Sequence, residues 1–466
     1  MIFKYKPYPA YKPSGVEWLG EVPEHWDICR AKSLFQKIER PIKEEDEVVT
    51  CFRDGTVTLR RNRRESGFTE SLKEIGYKGI YIGDLVIHSM DAYSGAIGVA
   101  DSNGKGSPVY SVCIPSTQVC VHFYAYLLRA MAQIGWIQSL AKGIRERSSD
   151  FRYKIFAEQL VPLFPLPEQT SIADFLDHKT ALIDRLIEKK QKLITLLEEQ
   201  KQAIIHQAIT GQIDVRTGRP YSTYKPSSIE WLEEVPRHWE IMRLKSVAHQ
   251  VLELTGKLQE NIPYVALENV ESWTGRVTSN CTETTGSQLK LFEEGDVLFG
   301  KLRPYLAKVM HAKSCGQCVS EFLVLRTTDR ISQHFLDHLL RSKSVIDWIN
   351  SSAFGAKMPR TDWHFVGNTR LAVPSLQEQN AIADFLDHKT TLIDQLIEKK
   401  QKLVTLLEEQ KQAIIHQAVT GKIDVREAAA GLQQTNSTTC GDEAKSAFSE
   451  QHSLNARYSH GQEVRS

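Results

Sequence analysis

The chain repeats itself, and that repeat constrains its fold more than any other feature. Residues 167–216 read PEQTSIADFLDHKTALIDRLIEKKQKLITLLEEQKQAIIHQAITGQIDVR, and residues 377–426 repeat the segment with 42 of 50 positions identical. A shorter opening motif is doubled as well: YKPSGVEWLGEVPEHW at 11–26 returns as YKPSSIEWLEEVPRHW at 224–239. The offsets, 213 and 210 residues, divide the chain into two near-equal halves with the same order of parts. Each half has an opening motif, a variable block and a long closing segment. The variable blocks, about 27–166 and 240–376, share little sequence. Uniform drift after a duplication would not leave such agreement beside such divergence. The pattern implies a preserved scaffold that carries two different readers.

The closing segment has the composition of a long helix. Glu, Lys, Gln, Leu, Ile and Ala dominate it, and neither Gly nor Pro interrupts residues 168–210. Pro167 stands where a first helical turn tolerates proline, and Gly211 stands where helices commonly end. Apolar residues at 3-4 spacing predict a seam through Ile172, Leu176, Ile183, Leu186, Leu193, Leu197 and Ile204. Leu182, Ile187, Ile194 and Leu196 widen the stripe. The second copy repeats the seam from Ile382 to Ile414. Some 40 helical residues reach about 60 Å at 1.5 Å each. Two such helices in one chain predict an intramolecular antiparallel coiled coil.

The variable blocks mix strand and turn signals. GYKGIYIGDLVIH (76–88) and VYSVCIPS (109–116) are short strand candidates in the first block. IPYVALENV (262–270), GDVLFGKL (295–302) and EFLVLRT (321–327) are their counterparts in the second. Helical stretches follow near 122–140 and 332–349. The fold class is therefore α+β, with two compact α/β domains and a long coiled coil between them. The boundaries read as 1–166 for the first domain, 167–216 for a helical spacer, 217–376 for the second domain and 377–426 for a second spacer. The small polar tail 427–466 has the composition of a disordered segment.

Lys+Arg of 58 against Asp+Glu of 57 excludes a chain that grips nucleic acid by bulk charge. A local patch remains compatible with that balance. Enzymatic motifs are missing. None of the Gly-Lys pairs at 104, 256, 300 and 421 continues to the Ser or Thr of a phosphate loop. No G-x-G-x-x-G follows a strand, and no Asn-Pro-Pro or Asp-Pro-Pro of an amino-methyltransferase occurs. His178 and His206 are too far apart along the helix to ligate one metal. Cys315 and Cys318 form a lone C-x-x-C with no partner pair at zinc-ribbon spacing. Ordinary thiols, no membrane-length apolar run and no signal-peptide core point to the cytoplasm and to no membrane.

The charge is concentrated in patches instead. Arg53, Arg60, Arg61, Arg63 and Arg64 put five guanidiniums within twelve residues. Lys142, Arg145, Arg147, Arg152 and Lys154 form a second cluster. The second block offers Lys301, Arg303, Tyr305 and Lys308 in KLRPYLAK, then Lys357 and Arg360 in AKMPRTDW. Arginine neutralises phosphates and can bond guanine edges with two donors, so these residues are candidate DNA contacts.

The doubled opening motif, the turn PLFPLPEQ and the helix IADFLDHKTALIDRLIEKKQKL together resemble the specificity subunits of type I restriction–modification systems. The resemblance covers residues 11 to about 426, and GDLVIHSMDAYSGAIGVADSNGKGSPVYSV (83–112) is similar to a block of the family's target-recognition domains. It implies two target-recognition domains, each reading one half of a split site in double-stranded DNA, held apart by the coiled coil. It implies a non-catalytic subunit without cofactor of its own, in a system of DNA methylation and phage defence. Its partners would be two modification subunits, which use S-adenosylmethionine to methylate adenine, and restriction subunits, which use ATP and Mg. Phe164 departs from the pattern, standing where the family often has another proline. Competing readings are a DNA mimic that inhibits restriction, which would need acidic surfaces, and a self-contained methyltransferase, which would need cofactor motifs.

Overall fold

The computed structural model describes residues 5–63, 75–140, 150–255, 262–278 and 288–431. Two units emerge from the internal packing: 1–188 with 404–466, and 189–403. The helices predicted from the repeat are single elements, Leu166–Ile209 and Leu376–Val419. Each contributes its first half to one unit and its second half to the other. The fold is thus α+β, with two mixed domains and two long helices that run antiparallel where they meet.

That direction is read separately in each unit. In the first, Ile172, Leu176 and Ile183 pack with Ile414, Ile415 and Ala418, and Lys411 Nζ lies 2.7 Å from Asp184. In the second, Ile205, Ala208 and Ile209 share a core with Ile382 and Leu386, and Lys201 Nζ lies 2.7 Å from Asp394. Asp394 and Lys411 are the repeat counterparts of Asp184 and Lys201, so one ion pair is made twice.

The seam itself differs from the sequence expectation in its middle. Leu186 and Leu193 are exposed, while Ile187 and Ile194 are half-buried. A seam drawn at a strict 3.5-residue period drifts by about 20° per heptad against a straight 3.6-residue helix. At about 100° per residue, Ile187 and Ile194 lie within about 40° of Ile183 around the helix, whereas Leu186 and Leu193 lie about 60–80° away.

A buried acid–amide pair fastens each helix to its domain. Glu168, in the first turn, accepts hydrogen bonds from Tyr8 Oη at 2.8 Å and Trp26 Nε1 at 3.1 Å, and His25 Nε2 lies 2.9 Å away. Glu378 repeats the arrangement with Tyr221, Trp239 Nε1 at 3.2 Å and His238 Nε2 at 3.0 Å. The neighbouring amide faces the other way. Gln169 accepts from the Cys120 amide and donates to the Phe164 carbonyl, and Gln379 does the same with Ser332 and Pro374. The opening motif is therefore the partner of the helix start, which explains why the two are preserved together.

The far end of each helix closes on the same motif. Gly211 and Gly421 have φ of 72° and 70°, and the amides that follow reach back to Gln207 and Gln417. A Cβ at Gly211 would lie 2.4 Å from Pro236, and one at Gly421 would lie 2.4 Å from Pro23. Gly is required at both places by conformation and by space. In the first unit residues 426–431 form a further short helix with Ala429 buried, whereas the remainder of the tail, 432–466, lies outside the described residues. Phe164 stacks on Trp26 with ring centroids 3.9 Å apart, in the position that Pro374 holds in the second unit.

The two variable blocks share one sheet despite their divergent sequences. The first orders its strands as Phe35–Lys37, Tyr110–Pro115, Leu85–His88 and Ile97–Val99, all antiparallel. The second orders Ala248–Val251, Phe322–Thr327, Val297–Gly300 and Val309–His311 in the same way. Helices Val121–Gln133 and Gln333–Arg341 follow, each buried on nearly every side. The strands are short and largely buried, so they read as apolar runs without period-2 alternation.

Gly211→Ala should cost about 1–2 kcal/mol for the left-handed backbone alone, plus the overlap with Pro236. Gly218→Ala, at φ 69° with open space around it, should show only the backbone part. Comparing the denaturation midpoints of the two variants measures the difference, and equal midpoints would contradict the close approach.

Candidate nucleic-acid interface

In each sheet a Gly-Asp turn precedes the strand that leads to the candidate residues. Asp84 is held by Arg40, and Asp296 by Arg326 through two bonds of 2.9 Å. The strand then runs to its far end and turns through a short 3-10 segment, Ala92–Ser94 in the first domain and Pro304–Leu306 in the second. Lys301, Arg303, Tyr305 and Lys308 all sit on or beside this second turn.

The turn stores strain. Arg303 has φ 51° and Ala307 φ 47°, a left-handed conformation that costs a non-glycine residue about 1–2 kcal/mol. The first domain places Gly95, φ 93°, at the equivalent point. The surroundings hold the strained turn in place. The Arg303 amide donates to the Pro359 carbonyl at 2.7 Å, and the Leu306 and Ala307 amides close the turn on Arg303 and Pro304.

Pro359 belongs to a second loop that packs on the first. The Phe354 and Arg360 amides donate to each other's carbonyls at 3.2 and 3.0 Å, closing a seven-residue loop. Lys357 is exposed at its tip, and its carbonyl lies 3.5 Å from Arg303 Nη2. Arg360 makes two bonds to Glu321 at 3.2 and 3.3 Å. Lys301 is half-buried, with its backbone tied to Glu321 and Thr361. Lys308 is turned inward, where Nζ donates to the Leu267 carbonyl at 2.6 Å and burial lowers its pKa. Arg303, Tyr305, Lys357 and Arg360 are thus gathered on one pair of loops, and Lys308 is half-buried with its ammonium on the Leu267 carbonyl.

In the first domain Arg60, Arg61 and Arg63 follow the strand Val57–Leu59 and Arg53 precedes it. Arg61 Nη1 meets Glu47 at 2.8 Å, Arg53 meets Asp91 at 3.1 Å, and Arg63 pairs with Asp54. Arg63 also covers the Phe52 ring at 4.6 Å. Arg60 Nε reaches Thr50 Oγ1 at 3.4 Å. Arg64, Lys142, Arg145 and Arg147 lie outside the described residues. Exposed ion pairs of this kind contribute about 0–1 kcal/mol, so a phosphate can displace the carboxylate at small cost.

Sequence reasoning missed a cavity of about 570 Å³ in the first domain, lined by Lys37, Lys78, Tyr110, Arg152, Tyr153 and Lys154. Arg152 and Lys154 come from the second basic cluster, and Lys37 and Lys78 arrive from two strands far apart in sequence. Asp150 pairs with Arg152, and Glu39 with Lys37. Lone lysines carried no signal until the sheet brought them together.

The second domain offers cations, an aromatic ring and a strained turn beside its sheet, whereas the first offers paired arginines and a relaxed turn at Gly95. Residues 236–406 match the family model of the type I restriction modification DNA specificity domain. The chain is 23% identical over 270 residues to the type I restriction enzyme EcoDI specificity subunit of Escherichia coli, covering 55% of this chain and 60% of that one. It is 22% identical over 436 residues to the MjaX specificity subunit of Methanocaldococcus jannaschii, covering 88% and 96%. A solved chain from a study of type I R-M system assembly and conformational transition shares the fold. Its TM-score is 0.59 at 16% identity, covering 86% of this chain and 99% of that one. By these matches the chain is similar to specificity subunits of type I restriction–modification systems. No helix among the described residues is long and apolar enough to cross a membrane.

Ala307→Gly should relieve the left-handed strain and raise stability by about 1 kcal/mol. Thermal denaturation checks it, and an unchanged or lower midpoint would show that the Ala307 methyl contributes more than the strain.

Proposed function

We propose that this chain is the non-catalytic, DNA-reading subunit of its complex. Each domain reads one half of an asymmetric, bipartite site in double-stranded DNA, and the helix pair sets the spacing between the halves. The observation that carries the proposal is one sheet built twice on a repeated scaffold, with unlike residues on the loops at its edge. Preserved frames with different loops supply two readers of different letters.

Partner docking follows the same symmetry. The first unit exposes Leu182, Leu186 and Leu406 on its helices, and the second exposes their repeat counterparts Leu392, Leu396 and Leu196. Exposed apolar patches that recur in this way suit two copies of one partner, here the modification subunit. S-adenosylmethionine, ATP and Mg, and the chemistry of methylation and cleavage, belong on this reading to the modification and restriction subunits. The complex works in the cytoplasm. Among the candidates, Arg53, Arg60, Arg61 and Arg63 serve the first half-site, and Lys301, Arg303, Tyr305, Lys357 and Arg360 serve the second. The Lys308 ammonium supports its loop from inside.

Selecting duplexes from a random pool with the assembled complex should yield one split site with an unread gap. Charge reversal of Arg60, Arg61 and Arg63 together should weaken binding and flatten its salt dependence by about one phosphate for each arginine replaced. A single continuous site would overturn the two-reader model. Inserting a heptad into each long helix should change the preferred gap and leave both half-sites as they were. Altered half-site letters would overturn the spacing role of the helices.

A further inference from the structure

We infer that Phe354 and Met358 are an apolar wedge that the second domain inserts between stacked bases of its half-site. The inference rests on the DNA-reading role proposed above and names how one domain performs it. In the loop 354–360, the Phe354 side chain is 72% exposed and Met358 is 54% exposed. Tyr305, on the neighbouring turn, is 45% exposed. Single exposed apolar residues are common on protein surfaces. Three large ones on two loops of a few residues each are not explained by packing, because none of them enters the cores of its domain.

The loop that displays them is braced. Phe354 and Arg360 exchange backbone hydrogen bonds across its base, and Gly355, φ 110°, makes the turn that follows Phe354. The Arg303 amide grips the Pro359 carbonyl, and the Thr361 amide donates to the Lys301 carbonyl. A side chain that unstacks bases must resist the force of restacking, so it needs a support of this kind. The left-handed Arg303 is part of the brace.

Charge selects the occupant. Lys357 lies between the two apolar residues in sequence, and the Arg303 side chain reaches its carbonyl. Arg360 stands at the loop base with Glu321 as its counter-ion. Cations flanking apolar side chains suit a ligand that is anionic outside and apolar between its planes. A stacked nucleic acid has that form, and proteins that kink duplexes insert Phe, Met or Leu beside cations that bind the phosphates. A purely apolar protein partner would offer no anion to Lys357.

The test uses the full chain assembled with its modification subunits and the duplex that the wild-type complex selects from a random pool. The double variant F354A/M358A is compared with K357A. The wedge predicts that F354A/M358A loses at least tenfold in affinity for the selected duplex. Sequence preference should relax in one half-site only, and the bend measured by end-to-end energy transfer should fall. The salt slope should stay at the wild-type value. K357A should lower the salt slope and leave preference and bend unchanged. Unchanged preference and bend in F354A/M358A would overturn the wedge while leaving the two-reader proposal standing. Loss of assembly with the modification subunit, seen by size-exclusion chromatography, would assign the loop to a protein contact and overturn it too. Failure of the wild-type complex to select any duplex would instead overturn the DNA-reading role itself. Both alanines replace exposed side chains, so folding should persist, and circular dichroism of the variant confirms it.

Discussion

A carboxylate taken out of water costs several kcal/mol unless donors surround it. Glu168 and Glu378 are each buried in the first turn of a long helix, and in each case Tyr, Trp and His converge on the two oxygens. Removing any donor leaves a buried lone pair, so the cluster tolerates little change. The adjoining glutamines, fully buried, fix the loops leading into Val121–Gln133 and Gln333–Arg341. Two consecutive side chains therefore orient the helix against both sides of its domain. The opposite helix end joins the same cluster. In the first unit Arg426 lies 5.1 Å over the Tyr8 ring, and the Asp424 amide donates to Lys6. Hydrogen bonds specify direction in a way that apolar packing alone does not.

A directional fastening of this sort frees the rest of each domain to change. The sheets keep their strand order because order depends on buried apolar residues, and many sequences supply those. The loops at the sheet edge answer to other constraints. At one equivalent point the first domain uses Gly95, which adopts its conformation at no steric cost, and the second forces Ala307 into it; Arg303 is left-handed where Asp91 of the first domain is not. A strained, braced turn in one domain and a relaxed one in the other would present different side chains at different heights over the same frame.

The sequence made the scaffold legible because repeats and helix composition are local signals. The helix limits, the glycine ends and the antiparallel pairing all follow from 167–216 and 377–426. In the middle of the seam Ile187 and Ile194 are the covered residues, because they lie closer than Leu186 and Leu193 to Ile183 around a straight helix. The shared sheet was hidden, because IGDLVIH and EGDVLFG agree in pattern more than in identity. The clasp was hidden for another reason. Tyr8 and Glu168 are 160 positions apart, and only the fold makes them neighbours. Phe164, which departs from the family's usual proline, became intelligible once Trp26 was seen stacked upon it. Among the candidate DNA contacts, composition located the loops, while the direction of Lys308 depended on a carbonyl at Leu267 that no spacing foretells.

The near-zero net charge now has a local explanation. Arg53, Arg61, Arg63 and Arg360 each face a carboxylate of their own domain. Such a pair holds the guanidinium in one orientation while cancelling its long-range field. Exchanging the carboxylate for a phosphate forfeits about 0–1 kcal/mol and gains a charge-assisted bond of about 1.5–3 kcal/mol. The gain per arginine is thus reduced by the pair it gives up, so on the proposed reading one domain alone holds DNA less firmly than unpaired arginines would. Joining two weak readers makes the second binding event intramolecular, with an effective concentration set by the connection between them. Firm binding then requires both half-sites at the right spacing, and neutral surfaces with paired arginines serve discrimination better than a basic surface would.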